Sequence, residues 1–260
     1  MSELVFLEKR NGVGHVIMNS APANAMSPEF MKQLSELLGQ LESDSEIRAV
    51  LFRSALEKIF MAGADLKHLL SLDEEDFRKY IETAQDLVNQ VELLPKPTMA
   101  VLSGHAMGGG CEFALACDFR YMSESKALIG LPEVTLGLLP GAGGTQRLPR
   151  LIGRSKATEL LLTGKVLPGP EAQAIGLVDR VYPVDQLLAE SMKAVESLAR
   201  GATCAIGQIK ACLRKPSHDL LADGLAQELD GITYLFKHTH DTKEGIAAFN
   251  EKRAPKYQGK

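Results

Sequence analysis

The chain has 260 residues, of which 45% are hydrophobic and 24% are charged, and its formal net charge is −4. A folded chain of this length buries roughly 70–75% of the surface that its unfolded form exposes, so it can build a sizeable core. The slightly acidic balance provides no overall basic field, which argues against nucleic acid or an anionic membrane surface as the main partner.

The cysteines predict neither a disulfide framework nor a metal site. They show no metal-ligand spacing and are too few to staple a chain of this length: Cys111, Cys117, Cys204 and Cys212. The N-terminal segment has no apolar run long enough for a signal peptide, and no uninterrupted apolar stretch of about 18 residues occurs elsewhere. We therefore expect reduced thiols and a soluble, cytoplasmic protein.

The first half of the chain alternates short β-branched runs with helical patterns, which favours an α/β fold. Strands are predicted at GHVIM (14–18) and IRAVLF (47–52). Between them, Ser27 can cap a helix that has Pro28 at its first position. Apolar residues recur there at helical spacing and predict one buried face: Phe30, Met31, Leu34, Leu37, Leu38 and Leu41.

A weak internal repeat follows this helix. The run AVLFRS (49–54) is followed by the small-residue turn FMAGAD (60–65), and AVLSGH (100–105) is followed by AMGGGCE (106–112). A third turn, LPGAGGTQ, comes after ALIGLPEVTLGL. If the repeat is real, neighbouring strands end in turns whose small residues let the backbone approach a partner closely, with a helix just beyond.

From about Ser155 the pattern becomes mainly helical. Helices are predicted at SKATELLLTG, at PEAQAIG and, behind Asp185, at DQLLAESMKAVESLAR, while LVDRVYPV is the last predicted strand. Beyond Gly201 only helices are predicted. Because no linker separates these parts, we expect a continuous unit with a core at residues 1–200 and a helical C-terminal region at 201–260.

The glycine-rich turns allow several interpretations. Tight turns and close helix packing are the ordinary one. A phosphate loop is disfavoured, because no stretch fits GxxxxGK[ST] and GAGGTQ lacks the final glycine of the dinucleotide motif. Ser103 and His105 lie beside one turn, but without GxSxG they do not favour a serine hydrolase. A further possibility, beside the ordinary one, is a pair of backbone amides that face an oxygen in which negative charge develops.

Two carboxylates stand alone among apolar side chains, each beside such a turn. Glu112 follows three glycines at a predicted helix start, where the helix dipole alone would stabilise it. Burial would also raise its pKa and suit it to acid–base work. Glu133 follows Pro132 and could be an ordinary loop acid. As a pair, the two acids could hold one water and divide proton removal from proton donation.

Five ordered blocks carry a family resemblance: NSAPANAM, FMAGADLK, SGHAMGGGCEFALACD, LPEVTLGLLPGAGGTQRLPRLIG and AFNEKR. Together they resemble an enoyl-CoA hydratase of the crotonase superfamily, and they run in family order from about Asn19 to Arg253. The resemblance implies a spiral of repeated ββα units with a helical C-terminal extension. It also implies that this extension helps to build a homotrimer, usually paired into a hexamer.

The resemblance assigns the chemistry as well. It implies reversible syn-hydration of a trans-2-enoyl-CoA to a 3-hydroxyacyl-CoA, in fatty-acid or related acyl-CoA degradation, with no metal or redox cofactor. The backbone amides of Ala64 and Gly109 correspond to the oxyanion hole that binds the thioester carbonyl. Glu112 corresponds to the base that activates water for attack at C3, and Glu133 to the acid that orients the water and protonates C2.

Contacts with the acyl-CoA are implied too. Coenzyme A contacts correspond to Lys67, and to Phe249 and Lys252, the latter pair often from a neighbouring subunit. Further substrate contacts are expected at Ala62, Asp65, Leu66, Gly108, Pro132 and Gly141. The chain departs from the family where Met26 replaces the usual leucine after Asn-Ala, and it has no tryptophan. The sequence therefore leaves the acyl-chain preference open.

Two alternatives remain. An enoyl-CoA isomerase of the same superfamily would move a proton between C2 and C4, but such a shuttle needs one base, so the presence of Glu112 and Glu133 favours hydration. A weakly active binding or assembly subunit belongs to another class, since some relatives also bind RNA. The acidic balance and the lack of a lysine-rich stripe argue against RNA.

Overall fold

The computed structural model describes residues 3–201, 203, 206–210, 213, 229, 232–233, 236–238 and 240–256. Its strands are β1 (Val5–Arg10), β2 (Val13–Met18), β3 (Ala49–Ser54), β4 (Ile59–Met61), β5 (Thr98–Leu102), β6 (His105–Met107), β7 (Phe119–Ser123), β8 (Leu128–Gly130), β9 (Val166–Pro168) and β10 (Arg180–Tyr182). Its helices are α1 (Pro28–Ser43), α2 (Leu66–Leu69), α3 (Glu74–Leu93), α4 (Gly109–Ala116), α5 (Gly144–Ile152), α6 (Arg154–Thr163), α7 (Gly169–Ala174), α8 (Val184–Arg200) and a C-terminal helix (His240–Asn250), with a 3₁₀ turn at Glu133–Leu136.

The strands form two sheets, with orders β1-β2-β3-β5-β7-β10 and β4-β6-β8-β9. Pairing is parallel except for β1 with β2 and β8 with β9. Three successive strand pairs each send their first strand to the larger sheet and their second to the smaller one: β3/β4, β5/β6 and β7/β8. The weak repeat in the sequence is therefore a structural repeat, and the predicted α/β spiral of ββα units is confirmed.

Helix α1 forms where the capping signal predicted it. The Ser27 hydroxyl accepts the N–H of Phe30, and Pro28 occupies the first helical position. All six apolar residues assigned to its inner face are buried. The 3.6-residue spacing therefore identified both the helix and the side that packs on the core.

Helix α4 lies inside the molecule, between the two sheets. Every residue from Gly110 to Ala116 is buried. The Phe113 ring packs edge-on against Phe52 of β3, with ring centroids 5.1 Å apart, and 6.2 Å from Phe60 of β4. This aromatic contact with both sheets fixes the helix that carries Glu112.

The structure corrects one predicted helix boundary. Helix α8 begins at Val184 and is capped by Pro183, so Asp185 lies in its first turn rather than at the cap. A carboxylate is still favoured there by the helix dipole. The segment ALIGLPEVTLGL contains strand β8, which ends at Gly130, and the 3₁₀ turn that begins at Glu133; a proline at 132 cannot donate to a sheet.

In the C-terminal region, the described residues from 203 to 250 are helical, as predicted. The C-terminal helix packs on the 3₁₀ turn: Thr242 Oγ1 donates to the Gly137 carbonyl at 2.8 Å, and a Cβ at Gly245 would lie 2.4 Å from the Leu136 carbonyl oxygen. The helix therefore supports the segment that carries Glu133. Among the described residues, no helix has the length and apolar character needed to cross a membrane. The division at residue 200 stays a prediction.

Candidate active site

Three parallel strand ends form the centre of the candidate site. Strands β4, β6 and β8 are neighbours, with Met61 opposite Ala106 and Met107 opposite Gly130. Carboxyl ends of adjacent parallel strands meet at one edge of a sheet, where ligands commonly bind. That edge therefore gathers the turns after β4, β6 and β8, which contain most of the predicted site residues.

Two peptide groups at this edge have their amides side by side. The Gly63 carbonyl accepts the Met26 N–H at 2.8 Å, and the Gly108 carbonyl accepts the Glu112 N–H at 2.9 Å. In a trans peptide the N–H points opposite to the C=O, so these bonds aim the amides of Ala64 and Gly109 away from their anchors. Within the described part of the chain, neither amide makes a hydrogen bond.

Glycine at position 63 makes this approach possible. Its φ is +87°, and a Cβ there would lie 2.7 Å from the Gly109 nitrogen and 2.8 Å from the Met107 carbonyl oxygen. Any larger residue would push the two turns apart. Gly108, with φ of +54°, likewise leaves room for a neighbouring carboxylate.

Glu112 is a buried carboxylate in the first turn of α4, only 2% exposed. Its Oε1 accepts two backbone N–H groups, from Ala142 and Gly144, each at 2.8 Å. Burial raises its pKa to about 6, although those two hydrogen bonds and the charge of Arg147 oppose the rise. The carboxylate is thus held in place and titrates close to neutral pH.

Glu133 approaches the same helical turn from the 3₁₀ segment. Its Oε1 would lie 3.0 Å from a Cβ at Gly108, the residue whose carbonyl binds the Glu112 N–H. Burial raises the pKa of the Cys111 thiol well above its usual value, and the nearby charges of Glu133 and Glu112 raise it further. Both carboxylates therefore lie around the start of α4, as the pairing hypothesis required.

The residues after β4 serve the fold as well as the site. The Asp65 carboxylate caps α2 by accepting the N–H groups of Lys67 and His68 at 3.1 and 3.2 Å. The Ala62 N–H donates to the Ala23 carbonyl at 3.0 Å. Leu66 is half-buried against the core, and Lys67 is exposed. Of these residues, Lys67 offers the most accessible side chain to a ligand.

The remaining predicted contacts lie in different surroundings. Pro132 caps the 3₁₀ turn, with its carbonyl accepting the N–H of Thr135. Gly141 is buried, and its carbonyl accepts the side-chain amide of Gln85 at 2.8 Å, so that group already has a protein partner. Phe249, on the C-terminal helix, and Lys252, just beyond it, are exposed.

Comparison with known proteins identifies the family of the chain. The sequence profile described as "Enoyl-CoA hydratase/isomerase" matches residues 8–260. The chain belongs to this family. It is 40% identical to human "Enoyl-CoA hydratase domain-containing protein 2, mitochondrial" over 255 residues, which are 96% of this chain and 86% of that protein. It is 36% identical to the "Short-chain-enoyl-CoA hydratase" of Clostridium acetobutylicum, over 96% of this chain and 95% of that one.

A solved relative shows how widely the fold of the hydratase/isomerase family is shared. The crystal structure of human mitochondrial delta3-delta2-enoyl-CoA isomerase matches with a TM-score of 0.90 and 25% identity, covering 96% of this chain and 98% of that chain. The crotonase fold predicted from the sequence is thereby confirmed. Since proteins named as hydratases and as isomerases both match, the reaction must be argued from the site.

The sequence did not point to two residues that help to fix the Ala64 amide. Asn24 is fully buried with φ of +48°, and its amide donates to the Ser54 hydroxyl and the Phe60 carbonyl. The Tyr80 hydroxyl donates to the Met26 carbonyl at 2.8 Å. Both hold the loop that anchors Gly63. Asn24 had a visible signal, because asparagine tolerates left-handed backbone, whereas nothing local marked Tyr80.

The side chain of His105 makes a hydrogen bond between two strands. Its Nδ1 accepts the N–H of Leu128 at 3.1 Å, which links β6 to β8. The hydrogen bond leaves the serine-hydrolase reading without support. In the part of the chain that the structure describes, no three His, Cys, Asp or Glu side chains are grouped as metal ligands. The predicted absence of a metal or redox cofactor stays a prediction.

Proposed function

We propose that the protein catalyses the reversible syn-hydration of a trans-2-enoyl-CoA to the 3-hydroxyacyl-CoA. The observation that carries this proposal is the arrangement around the first turn of α4. Two carboxylates, Glu112 and Glu133, lie beside two adjacent backbone amides, those of Ala64 and Gly109. An acid–base pair next to an oxyanion hole is what water addition to a conjugated thioester requires.

The two amides would bind the thioester carbonyl oxygen. When water attacks C3, electron density moves onto that oxygen, and the enolate-like state gains more from the two N–H groups than the substrate does. Because Gly63 and Gly108 are anchored through their carbonyls, the amides need no rearrangement during the reaction. This preorganisation lowers the barrier.

The two carboxylates would divide the proton transfers. Oε1 of Glu112 accepts hydrogen bonds from the backbone N–H groups of Ala142 and Gly144, which leaves Oε2 for the attacking water. Its raised pKa makes it a stronger base than an ordinary glutamate. Glu133 would orient the water and deliver a proton to C2. In net terms, water supplies the hydroxyl group at C3 and the hydrogen at C2 on one face of the double bond.

Binding of the coenzyme A portion belongs to the same proposal. Lys67, next to the first amide, would bind a phosphate as a mobile point charge. Phe249 and Lys252 would contact the coenzyme from a neighbouring subunit of a trimer or hexamer, which is consistent with the 60% exposure of Phe249.

We propose that residues 201–260 serve assembly. We also propose a cytoplasmic location, although the human relative is named mitochondrial.

The second candidate is enoyl-CoA isomerisation. The close fold match to the human isomerase favours it. The presence of Glu133 beside Gly108 favours hydration, since a proton shuttle between C2 and C4 has less use for a second acid that orients water. The weakly active binding subunit has no comparable support.

The direct test is an assay with crotonyl-CoA and purified protein, in a buffer that contains a chelator and no nicotinamide. Hydration removes the conjugated double bond, so we expect the thioester absorbance to fall. A protein that leaves crotonyl-CoA unchanged but converts a 3-enoyl-CoA to the conjugated isomer would be an isomerase. The proposal would then be wrong.

The pH dependence of hydration should report the ionisation of Glu112. A base must be deprotonated to accept a proton, and burial raises the pKa of Glu112 to about 6. We expect kcat/KM to fall about tenfold per pH unit below that value, as Glu112 becomes protonated. The measurement is kcat/KM across the acid range at constant ionic strength. An acid limb at the pKa of an exposed glutamate, near 4.3, would contradict the assignment.

A further inference from the structure

We propose that Arg147 is a positioning residue for the candidate base, holding the loop whose two amides bind Glu112. The inference rests on the proposed function, because it gives Arg147 a role only if Glu112 is the base. Arg147 lies in α5, and its side chain is only 6% exposed. It touches neither the oxyanion amides nor any group proposed to meet the substrate, so its action would pass through Glu112.

The contacts of Arg147 reach both the loop and helix α3. Its Nη1 donates to the Ala142 carbonyl at 3.0 Å. Its Nε and Nη2 donate to Glu92 at 2.9 and 2.6 Å, and Nη2 also donates to Asn89 at 2.7 Å. The guanidinium is thus a planar clamp between two elements, a geometry that suits arginine better than lysine.

Helix α3 holds the same loop at a second point. Gln85, Asn89 and Glu92 are spaced i, i+4 and i+7, so they share one face of the helix. Gln85 donates to the Gly141 carbonyl at 2.8 Å, one residue before the carbonyl that Arg147 binds. The Gly141 carbonyl shares its peptide plane with the Ala142 N–H, so the bond from Gln85 directs that donor toward Glu112. The Gly143 carbonyl shares its plane with the Gly144 N–H and accepts the backbone N–H of Arg147 at 2.8 Å. The Arg147 side chain holds the Ala142 carbonyl, in the peptide between these two.

Besides holding the loop, Arg147 affects the pKa of Glu112 through its positive charge. The charged or titratable groups around Glu112 are Arg147 from α5, Glu133 from the 3₁₀ turn, Tyr80 from α3 and Cys111 from α4 itself. Arg147 is the cation in this set, and its charge lowers the pKa that burial raises. Glu92 partly neutralises that charge through the ion pair at 2.6 Å.

Three variants test the inference: Arg147→Met, Arg147→Lys and Glu92→Gln. Loss of the guanidinium removes a nearby positive charge and loosens the two N–H donors, and both effects favour the protonated carboxyl group. We expect Arg147→Met to move the acid limb of kcat/KM up by roughly one pH unit, which is about a fivefold loss at the wild-type midpoint and about a tenfold loss well below it. The acid limb of Arg147→Lys should lie much closer to its wild-type position than that of Arg147→Met. Glu92→Gln should move the limb to lower pH.

A second measurement does not depend on activity. The difference in unfolding free energy between a protein and its Glu112→Gln variant changes with pH between the unfolded-state and the folded-state pKa of Glu112. Its midpoint lies halfway between these two values, so a change in the folded-state pKa moves the midpoint in the same direction. This midpoint should shift upward in the Arg147→Met background. If the limb and the midpoint stay at their wild-type positions while only thermal stability falls, Arg147 has a packing role alone and the inference is wrong.

The two proposals can fail separately. A wild-type protein that does not hydrate crotonyl-CoA overturns the proposed function, and the stability midpoint then decides whether Arg147 still controls Glu112. If the wild type is active, the acid limbs of Arg147→Met and Glu92→Gln should move in opposite directions. If they do not, the inference alone is overturned. If Arg147→Met does not fold, the decision passes to Arg147→Lys and Glu92→Gln. With Glu92→Gln, an unmoved limb overturns the inference.

Discussion

Replacing Glu112 by glutamine is expected to lower the hydration rate by about 100- to 10,000-fold, because the variant keeps the shape of the side chain but cannot accept a proton from water. The fold should not suffer. Glutamine can still accept the N–H groups of Ala142 and Gly144 through its own oxygen. The variant therefore separates loss of the base from loss of structure.

The same variant should be more stable than the wild type at neutral pH. Burial raises the pKa of Glu112 from 4.5 to about 6, so keeping the side chain ionised at pH 7 opposes folding. That cost is about 2 kcal/mol, at about 1.4 kcal/mol per pKa unit. The gain should be fully present above pH 6 and vanish as the pH falls through 4.5, where the side chain is protonated in the folded and the unfolded chain alike.

Urea unfolding at two pH values and the crotonyl-CoA assay together check this prediction. Glu124→Gln is the matched control, since Glu124 is an exposed glutamate outside the site, and it should change neither rate nor stability. A Glu112→Gln protein that hydrates crotonyl-CoA at the wild-type rate would show that Glu112 is not the base.

Replacing Gly63 by alanine is expected to lower kcat by about 100- to 1,000-fold, the usual effect of losing one oxyanion donor. The new methyl group would lie 2.7 Å from the Gly109 nitrogen, so it would force the two turns apart or occupy the space between the amides. Residue 63 also has φ of +87°, which alanine rarely adopts. The loss should fall mainly on kcat, because the amides bind the developing charge more tightly than the ground state.

Gly39→Ala provides the control for this change. Gly39 is exposed within α1, and a Cβ there would have no neighbour within 4 Å. Alanine should stabilise that helix by about 1 kcal/mol without affecting kcat. If folded Gly63→Ala protein turned over crotonyl-CoA like the wild type, the amides of Ala64 and Gly109 would not form the oxyanion hole.

Local patterns predicted those elements whose signals are complete within a few residues. Helix α1 has its cap at Ser27 and its apolar stripe in one continuous run, so sequence alone identified its start and its buried face. The repeat of AVLFRS and AVLSGH, though weak, corresponds to β3 and β5 of successive ββα units. Glu112 was recognisable because a lone acid in an apolar helix after three glycines is unusual.

Contacts between distant segments were beyond the sequence. Glu112 and Glu133 are 21 residues apart, and only the parallel pairing of β6 with β8 brings both to the start of α4. Arg147 looks like an ordinary surface cation in GTQRLPR, and its burial depends on Glu92 and Asn89 of a helix more than 50 residues earlier. Such roles are set by tertiary packing, which leaves no local periodicity to detect.

The central claim is that Glu112 and Glu133 add water across the double bond of an enoyl-CoA. The most direct test is to incubate crotonyl-CoA with the protein in heavy-oxygen water and to analyse the product by mass spectrometry. We predict a 3-hydroxyacyl-CoA that carries one heavy oxygen at C3, with no label when both carboxylates are replaced by glutamine. An unlabelled product whose double bond has only moved, or label incorporation that survives the double replacement, would contradict the account.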